Sequence, residues 1–254
     1  MTKRSKPARP VIRRSPHRNV GVITIPWLQQ EPIEWESQLE RWCIYSLIAL
    51  WVVTEILHQP YKIPIPSEGK ENYYIPDFAI TLNDGSRIVI EVKPARFIAK
   101  NEARFKFAQA WLRERGIHFV LLTEVQLRHR AWKHIVPMFL RYARWDVAPA
   151  LIESVKQRLQ DAGGEANFGS LWDGSDPNTK IAAYFLIGRR EIFCDPRSWD
   201  DDATRISLIH KSEYQLNEKG DENGSQDNQC ASDLFLQWFG IESWGAYPSI
   251  SKAD

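Results

Sequence analysis

The sequence predicts an α/β fold, a sheet flanked by helices with a smaller domain after it, from three observations. Residues 73–92 form two apolar runs around Asp84-Gly85, and an Asp-Gly pair between β-branched runs is a strong hairpin signal. Apolar side chains recur at helical spacing in residues 36–50 and 97–115. The short apolar run FVLLT at 119–123 predicts a buried strand.

The neighbouring segments complete the first domain. Residues 51–57 are rich in β-branched side chains and predict a short strand, and the prolines in residues 59–65 favour a sheet edge. One helix is predicted over residues 124–144, apolar on one side and basic on the other. Together with the basic helix at 97–115 it suggests a groove for a phosphate backbone, although a solvated charged face is an equally open reading.

The distribution of charge and turn residues predicts four regions. Residues 1–20 carry seven Lys or Arg and no acid, whereas residues 213–254 carry eight acids against two bases. Pro149 marks a boundary, after which two helices and a pair of short strands are predicted. We therefore divide the chain into a basic flexible arm, a sheet-containing domain, a smaller domain, and an acidic linker with an aromatic C-terminal segment: residues 1–20, 21–148, 149–212 and 213–254.

The aromatic C-terminal segment has two open interpretations. Residues 233–250 contain Phe235, Trp238, Phe239 and Trp244 beyond a polar, acidic linker. Such apolar density is typical either of a strap on the core or of a docking peptide for another subunit.

Cysteine usage and hydropathy indicate a cytoplasmic protein. Cys43, Cys194 and Cys230 are too few and too scattered for a disulfide framework or a zinc site. The longest apolar run, residues 42–53, is shorter than the roughly twenty residues that span a bilayer. We expect neither a membrane location nor secretion.

Carboxylates and a lysine stand inside the predicted hairpin. Glu91 and Lys93 are two residues apart and point to the same face of a strand, and pairing across the turn can bring Asp77 beside them. Carboxylate oxygens are the ligands that Mg²⁺ takes, and a nearby ammonium can orient water or neutralise charge on a phosphate. The pattern predicts a phosphodiesterase with Mg²⁺, or Mn²⁺ as a substitute. The alternative is a solvated hairpin with an exposed ion pair of little energetic value.

Pro76-Asp77, followed after thirteen positions by Glu91-Val92-Lys93, resembles the signature of the restriction-endonuclease-like superfamily. That resemblance implies a mixed sheet with flanking helices and a further acidic residue on an upstream helix, where Ser37-Gln38-Leu39-Glu40 stands. More narrowly, several motifs together resemble the TnsA family, the endonuclease subunits of heteromeric, Tn7-type transposases: residues 14–21, 36–40, 59–60, 74–78 and 91–94.

The resemblance implies roles for particular residues. Asp77 and Glu91 would be metal ligands, Glu40 an additional ligand or metal-side acid, and Lys93 the group that orients the attacking water. The residues alone leave open that Glu40 merely pairs with Arg41 or Arg104. The family also implies a winged-helix-like module after the nuclease, and the elements predicted over 149–212 follow that order.

The resemblance further implies a biological setting. The enzyme would cut the 5′ ends of a transposon in double-stranded DNA, while a transposase subunit of the DDE type cuts and joins the 3′ ends and an ATPase regulator completes the assembly. The setting would be a bacterial cytoplasm, with the protein at the nucleoid when bound to DNA. The alternatives are another nuclease of the same fold, of restriction, junction-resolving or phage head-completion type, and a non-cutting DNA-binding assembly subunit.

Basic residues predict contacts with DNA phosphates, which give salt-dependent affinity without sequence preference. The N-terminal arm is one source of such contacts, although a solubilising tail is also open. The helix at 97–115 is the other. The candidates are Arg9, Arg13, Arg14, Arg18, Lys100 and Arg104.

Overall fold

The computed structural model describes residues 19–66, 72–172, 176–209 and 230–244. The chain divides into two compact units, Met1–Arg128 with Tyr214–Asp254, and His129–Glu213. The predicted basic arm, except for Asn19 and Val20, and the acidic linker at 218–229 lie outside the described residues. Within the described ranges, no helix is long and apolar enough to cross a membrane.

The first unit contains a mixed sheet. Its elements in chain order are β1 (Gly21–Ile25), β2 (Gln29–Trp35), α1 (Gln38–Ala49), β3 (Val53–His58), β4 (Ile63–Ile65), β5 (Asn72–Tyr74), β6 (Phe78–Leu82), β7 (Arg87–Val92), α2 (Ile98–Arg113), β8 (His118–Leu122) and α3 (Glu124–Leu127). The central sheet has the order β3-β6-β7-β8, with β7 and β8 parallel and the other neighbours antiparallel. This mixed sheet with flanking helices confirms the predicted fold class.

The predicted hairpin is formed by β6 and β7. Gly85 takes φ +83° in the turn, a conformation that glycine adopts without a steric penalty, and the Asp84 carboxylate accepts a hydrogen bond from the Ser86 N–H at 2.8 Å. The prediction of one strand from residue 73 was wrong, because Tyr74 lies in β5 and pairs with β4. Pro76 has no N–H to give to a ladder, which separates the two strands.

Helix α2 covers one face of the central sheet. Side chains from α2, from β4 to β8 and from the neighbouring loops form a buried cluster that includes Tyr74, Ala79, Val89, Phe105, Phe119 and Leu121. Ala79 and Val89 are directly paired across β6 and β7, so they point to the same face. The polar side chains at the end of the hairpin lie on this same face of the sheet.

The second unit combines helices with a small antiparallel sheet. Its elements are a π-helical turn (Ala131–Ile135), α4 (Val136–Tyr142), α5 (Pro149–Asp161), β9 (Glu165–Asn167), α6 (Pro177–Gly188), β10 (Ile192–Cys194) and β11 (Arg205–Leu208). The sheet order is β10-β11-β9. The helix, helix and hairpin follow the predicted order, and β9 is a third strand that the sequence analysis did not assign.

The single helix predicted over 124–144 is divided, and that prediction was wrong. Helix α3 begins with a capping box at Thr123 and ends at Leu127, after which Arg128 leaves the helical conformation with ψ 64°. The His129 side chain accepts the Ala131 N–H, which starts the next helical segment. Ile135 and Phe139 pack in the core of the second unit. The division between units therefore falls at Arg128, before the predicted boundary at 148–149.

The aromatic C-terminal segment forms a short helix, α7 (Ala231–Phe239), which ends at Gly240 with φ +63°. This segment belongs to the first unit. The Trp244 ring stacks on His118, at the start of the edge strand β8, with centroids 4.0 Å apart. Of the two interpretations left open by the sequence, the described residues place the segment as a strap on the first unit.

Replacing Gly188 by Ala is expected to destabilise the second unit by about 1–3 kcal/mol or more, since overpacking forces the backbone to move. An added Cβ would lie 2.3 Å from the Phe139 carbonyl oxygen and 2.8 Å from the Ala143 Cβ. Hydrogen exchange of the α6 amides measures the change. Gln160→Ala, at an exposed helical position, is the control and should change stability by less than about 0.5 kcal/mol. Equal protection in the two variants would contradict the close approach of α4 and α6.

Candidate active site

The register of the β6–β7 hairpin determines where the two carboxylates meet. Phe78 pairs with Ile90, so one further step places Asp77 opposite Glu91 with both side chains on one face. Asp77 is fixed by two hydrogen bonds: its carboxylate accepts the Val92 N–H at 2.8 Å, and its carbonyl accepts the Gln59 N–H at 2.7 Å. The juxtaposition predicted from the sequence is therefore present.

Glu91 is buried, with 3% of its surface exposed. One of its carboxylate oxygens lies 2.8 Å from the Lys93 Nζ, and the other accepts a hydrogen bond from the Tyr74 hydroxyl at 2.7 Å. The alternative hypothesis, a solvated hairpin with an exposed ion pair, does not describe this pair, because the Glu91 side chain is excluded from water. Tyr74 was not among the predicted site residues. The position of Tyr74, three residues before Asp77 and within the motif at 74–78, was a signal that could have identified it as a site residue.

Burial, together with accumulated negative charge, changes the pKa values of the site residues. Burial raises the pKa of Asp77 well above its ordinary value, and the Glu91 and Glu40 carboxylates add to the effect against the opposing Val92 hydrogen bond and Lys93 charge. Burial raises the pKa of the Tyr74 hydroxyl too, together with the Glu91 charge, so that Tyr74 remains a donor. The metal-free site thus carries more carboxylates than its single ammonium balances.

Lys93 stays protonated at neutral pH. Burial by itself lowers the pKa of this ammonium, but the Glu91 charge and hydrogen bond outweigh burial, and the Asp77 and Glu40 charges add to them, so the pKa is raised. Lys93 is therefore a cation and a hydrogen-bond donor in this state of the site.

Glu40 lies in the first turn of α1 and takes part in its cap. One of its oxygens accepts the Ser37 hydroxyl at 2.8 Å, the other accepts the Glu36 N–H at 2.7 Å, and the Ser37 hydroxyl accepts the Glu40 N–H. Both oxygens are used by the cap, with neither Arg41 nor Arg104 as partner. Burial raises the pKa of Glu40, and the Glu36 and Glu91 charges act in the same direction against these two hydrogen bonds. The Glu40 charge therefore acts on the pair of carboxylates in the hairpin, whereas both Glu40 oxygens accept hydrogen bonds within the cap of α1.

Oxygen donors make this a suitable site for Mg²⁺. Among the described residues, no group of three or more His, Cys, Asp or Glu side chains is placed to hold a metal. Two carboxylates are, however, the usual protein contribution to Mg²⁺ sites, the remaining ligands being water and substrate phosphate. Asp77 and Glu91 supply such a pair, with their side chains on one face of the hairpin.

The structure describes only some of the residues that were predicted to contact DNA. Lys100 and Arg104 are exposed on α2, four residues apart and thus on one face of that helix. The Arg104 charge has a small lowering effect on the pKa of the Tyr74 hydroxyl, which burial and the Glu91 charge outweigh. Arg9, Arg13, Arg14 and Arg18 lie outside the described residues.

Comparison with known protein families gives a match within the first unit. Residues 52–124 match the family described as TnsA-like endonuclease N terminal. We refer to these matched residues as the TnsA-like domain. This TnsA-like domain includes Tyr74, Asp77, Glu91 and Lys93, whereas Glu40 precedes the matched residues. No curated protein matches the chain.

Proposed function

We propose that the chain is the DNA endonuclease subunit of a Tn7-type transposase and that it cuts the 5′ ends, the non-transferred strands, of a transposon. Mg²⁺ is the proposed cofactor, with Mn²⁺ as a substitute. The observation that carries the proposal is the placement of Asp77 opposite a buried Glu91 whose carboxylate is held by Lys93 at 2.8 Å. The TnsA-like domain favours transposition over the other nucleases of this fold.

The proposed roles follow from the contacts of each group. Asp77 and Glu91 would hold Mg²⁺, which supplies Lewis-acid activation of the scissile phosphate when bound. Tyr74 and Lys93 fix the orientation of Glu91 through its two oxygens. The Lys93 ammonium orients the attacking water and offsets charge that builds on the phosphate. Hydrolysis leaves a 3′-hydroxyl and a 5′-phosphate.

Glu40 has a conditional role. As a further ligand it would use the remaining lone pairs of its two oxygens, which accept the Ser37 hydroxyl and the Glu36 N–H. In the absence of such binding it contributes negative charge that acts on Asp77.

Partner proteins are proposed to supply sequence specificity. Lys100 and Arg104, exposed on α2, would contact phosphates, and phosphate contacts position a protein without reading bases. Helix α6 of the second unit is largely buried, which leaves little of it to enter a groove. A DDE-type transposase subunit that recognises the transposon ends, with an ATPase regulator, would direct the cut.

The test combines the purified chain, Mg²⁺ and a transposon-end duplex, with and without the candidate transposase and ATPase. We expect 5′-strand cleavage in the complete mixture and little site-specific cutting by the chain alone. Lys93→Ala should lower the rate by about 10²-fold or more, as loss of a charge-stabilising donor does. Lys106→Ala is the control, because Lys106 pairs with Glu102 on the exposed side of α2. Site-specific cutting by the chain alone, or equal rates for Lys93→Ala and Lys106→Ala, would refute the proposal.

A further inference from the structure

The backbone that carries Lys93 is held on both sides by groups from the connection between β8 and α3. On one side, the Lys93 N–H donates to the Leu122 carbonyl at 3.0 Å, directly after the last residue pair of β7 and β8. On the other side, the Ala95 N–H donates to a carboxylate oxygen of Glu124 at 2.8 Å. Glu124 is 29 residues further along the chain, so this hydrogen bond joins two separate segments at the end of the sheet.

Pro94 explains why this backbone needs an acceptor from outside the strand. Proline has no N–H, so β7 cannot continue its ladder at the residue after Lys93. The next N–H, that of Ala95, begins a 3₁₀ turn (Ala95–Phe97) that leads into α2, and the first N–H groups of a helical turn have no acceptor within it. Pro94, which precedes the turn, gives no side-chain cap. The Glu124 carboxylate supplies the acceptor instead.

Helix α3 has a complete cap without the Glu124 carboxylate. The Thr123 hydroxyl accepts the Val125 N–H, and the Gln126 side chain accepts the Thr123 N–H, which together form the capping box. An acid in the first turn of a helix ordinarily interacts with the N–H groups of that same helix. In α3 the cap residues serve this purpose, and the Glu124 carboxylate reaches Ala95.

The hydrogen bond to Ala95 lies two residues from the ammonium-bearing residue of the candidate active site. The Lys93 Nζ lies 2.8 Å from a Glu91 carboxylate oxygen, and 31% of the Lys93 side chain is exposed. Because a lysine stem is flexible, its ammonium keeps such a position only where the backbone beneath it is fixed. A displacement of about 1 Å in a positioned group can lower a reaction rate by roughly 10²-fold. The contact of Glu124 with Ala95 is therefore placed to determine where the Lys93 ammonium lies.

We propose that Glu124 is a positioning residue of the active site, whose carboxylate fixes the backbone at Pro94 and Ala95 and thereby holds the Lys93 ammonium beside Glu91. Glu124 acts as a hydrogen-bond acceptor, and it needs no contact with DNA or with metal. The effect on cleavage rests on the proposed nuclease function, whereas the effect on Lys93 does not. A Gln side chain retains an oxygen that can accept the Ala95 N–H, and an Ala side chain does not.

The first measurement follows Lys93 without a cleavage assay. The full chain without metal is treated with a trace of acetic anhydride, and mass spectrometry compares acetylation of Lys93 with that of the exposed Lys106. For Glu124→Ala we expect Lys93 acetylation to be faster by about 3-fold, because a flexible stem that is not held beside Glu91 extends into water. Glu124→Gln should be acetylated like the parent. Gln126→Ala, which removes the capping box of α3 and leaves the contact with Ala95, is the control and should also match the parent.

The second measurement is the rate of cleavage at saturating DNA in the reconstituted assay. Glu124→Ala should lower this rate by about 10-fold or more and leave the affinity for the duplex unchanged, since a displaced group affects the transition state more than DNA binding. Glu124→Gln should retain most of the parent rate, and Gln126→Ala should cut at the parent rate. If Glu124→Ala melts abnormally, Glu124→Met keeps the length of the side chain without a strong acceptor and should show the same two effects.

The variants distinguish positioning from other roles. Parent-like acetylation of Lys93 in folded Glu124→Ala and Glu124→Met would overturn the inference. A rate for Glu124→Gln as low as that for Glu124→Ala would also overturn it, because negative charge and not acceptance of the Ala95 N–H would then be required. Equal losses in Gln126→Ala and Glu124→Ala would assign the effect to α3 as a whole. If acetylation follows the expected order but the parent cuts no DNA, the positioning of Lys93 stands and the nuclease proposal fails.

Discussion

Asn in place of Asp77 is expected to lower the rate of DNA cleavage by about 10³-fold or more, because a lost metal ligand removes several kcal/mol of transition-state stabilisation. Asn keeps the shape of the side chain and an oxygen that can accept the Val92 N–H, so the hairpin should remain folded. The reconstituted cleavage assay measures the loss. Glu102→Gln, at an exposed acid on α2, is the matched control. Cleavage by Asp77→Asn at the control rate would remove Asp77 from the site.

The same substitution should stabilise the metal-free chain in a pH-dependent manner. The pKa of Asp77 is raised on folding, so the folded state binds its proton more tightly than the unfolded state, whose pKa is about 3.9. The stability linked to this proton is full below the unfolded pKa and is lost as pH rises through the folded pKa. The melting temperature of Asp77→Asn minus that of the parent should therefore grow from pH 5 to pH 8. Mg²⁺ should raise the melting temperature of the parent more than that of the variant, and a pH-independent difference would contradict the linkage.

Truncating Phe235 to Ala is expected to destabilise the first unit by about 3–5 kcal/mol, the usual cost of removing a buried aromatic ring. Phe235 is fully buried, and its ring lies 4.9 Å from that of Phe239 and 6.1 Å from that of Trp244. Hydrogen exchange of the β7 amides reports the opening of this unit.

Two further variants make the Phe235 result interpretable. Val125→Ala, at a side chain 78% exposed, is the control and should change stability by less than about 0.5 kcal/mol. Phe235→Leu leaves a smaller cavity and provides a measurable intermediate if the Ala variant does not fold. If Phe235→Ala exchanges like Val125→Ala, the C-terminal segment contributes nothing to the first unit and the strap interpretation is wrong.

The sequence predicted the hairpin and its carboxylates well because their information is local. The Asp-Gly turn determines the register, and the register alone brings Asp77 opposite Glu91. The contact between Tyr74 and Glu91 was not predictable in this way. It depends on pairing of β4 with β5 and on the path of residues 75–77, which neither periodicity nor turn signals determine.

Two other errors arose where competing local interactions outweigh hydrophobic periodicity. The apolar spacing over 124–144 is helical throughout, yet the Thr123 cap and the His129 side chain make two helical starts within it. The β1–β2 hairpin was not predicted from the sequence. Apolar and polar residues alternate in GVITI and in IEW, the last three residues of β2, and this alternation was a signal for strands. The register of this hairpin contains a bulge between Ile23 and Ile25, which interrupts the period of two.

The four-residue turn at 83–86 has a consequence for the order of folding. It closes the hairpin between Asp77 and Glu91 over a short loop, whereas the parallel pairing of β7 with β8 spans the whole of α2. Hairpins form in about 1–10 μs, and contacts distant in sequence form later because their loop-closure entropy is larger. We therefore expect the two carboxylates to meet before the sheet is complete, so that their mutual repulsion opposes formation of the hairpin. A divalent cation present during refolding should then relieve that repulsion and increase the rate at which the first unit forms.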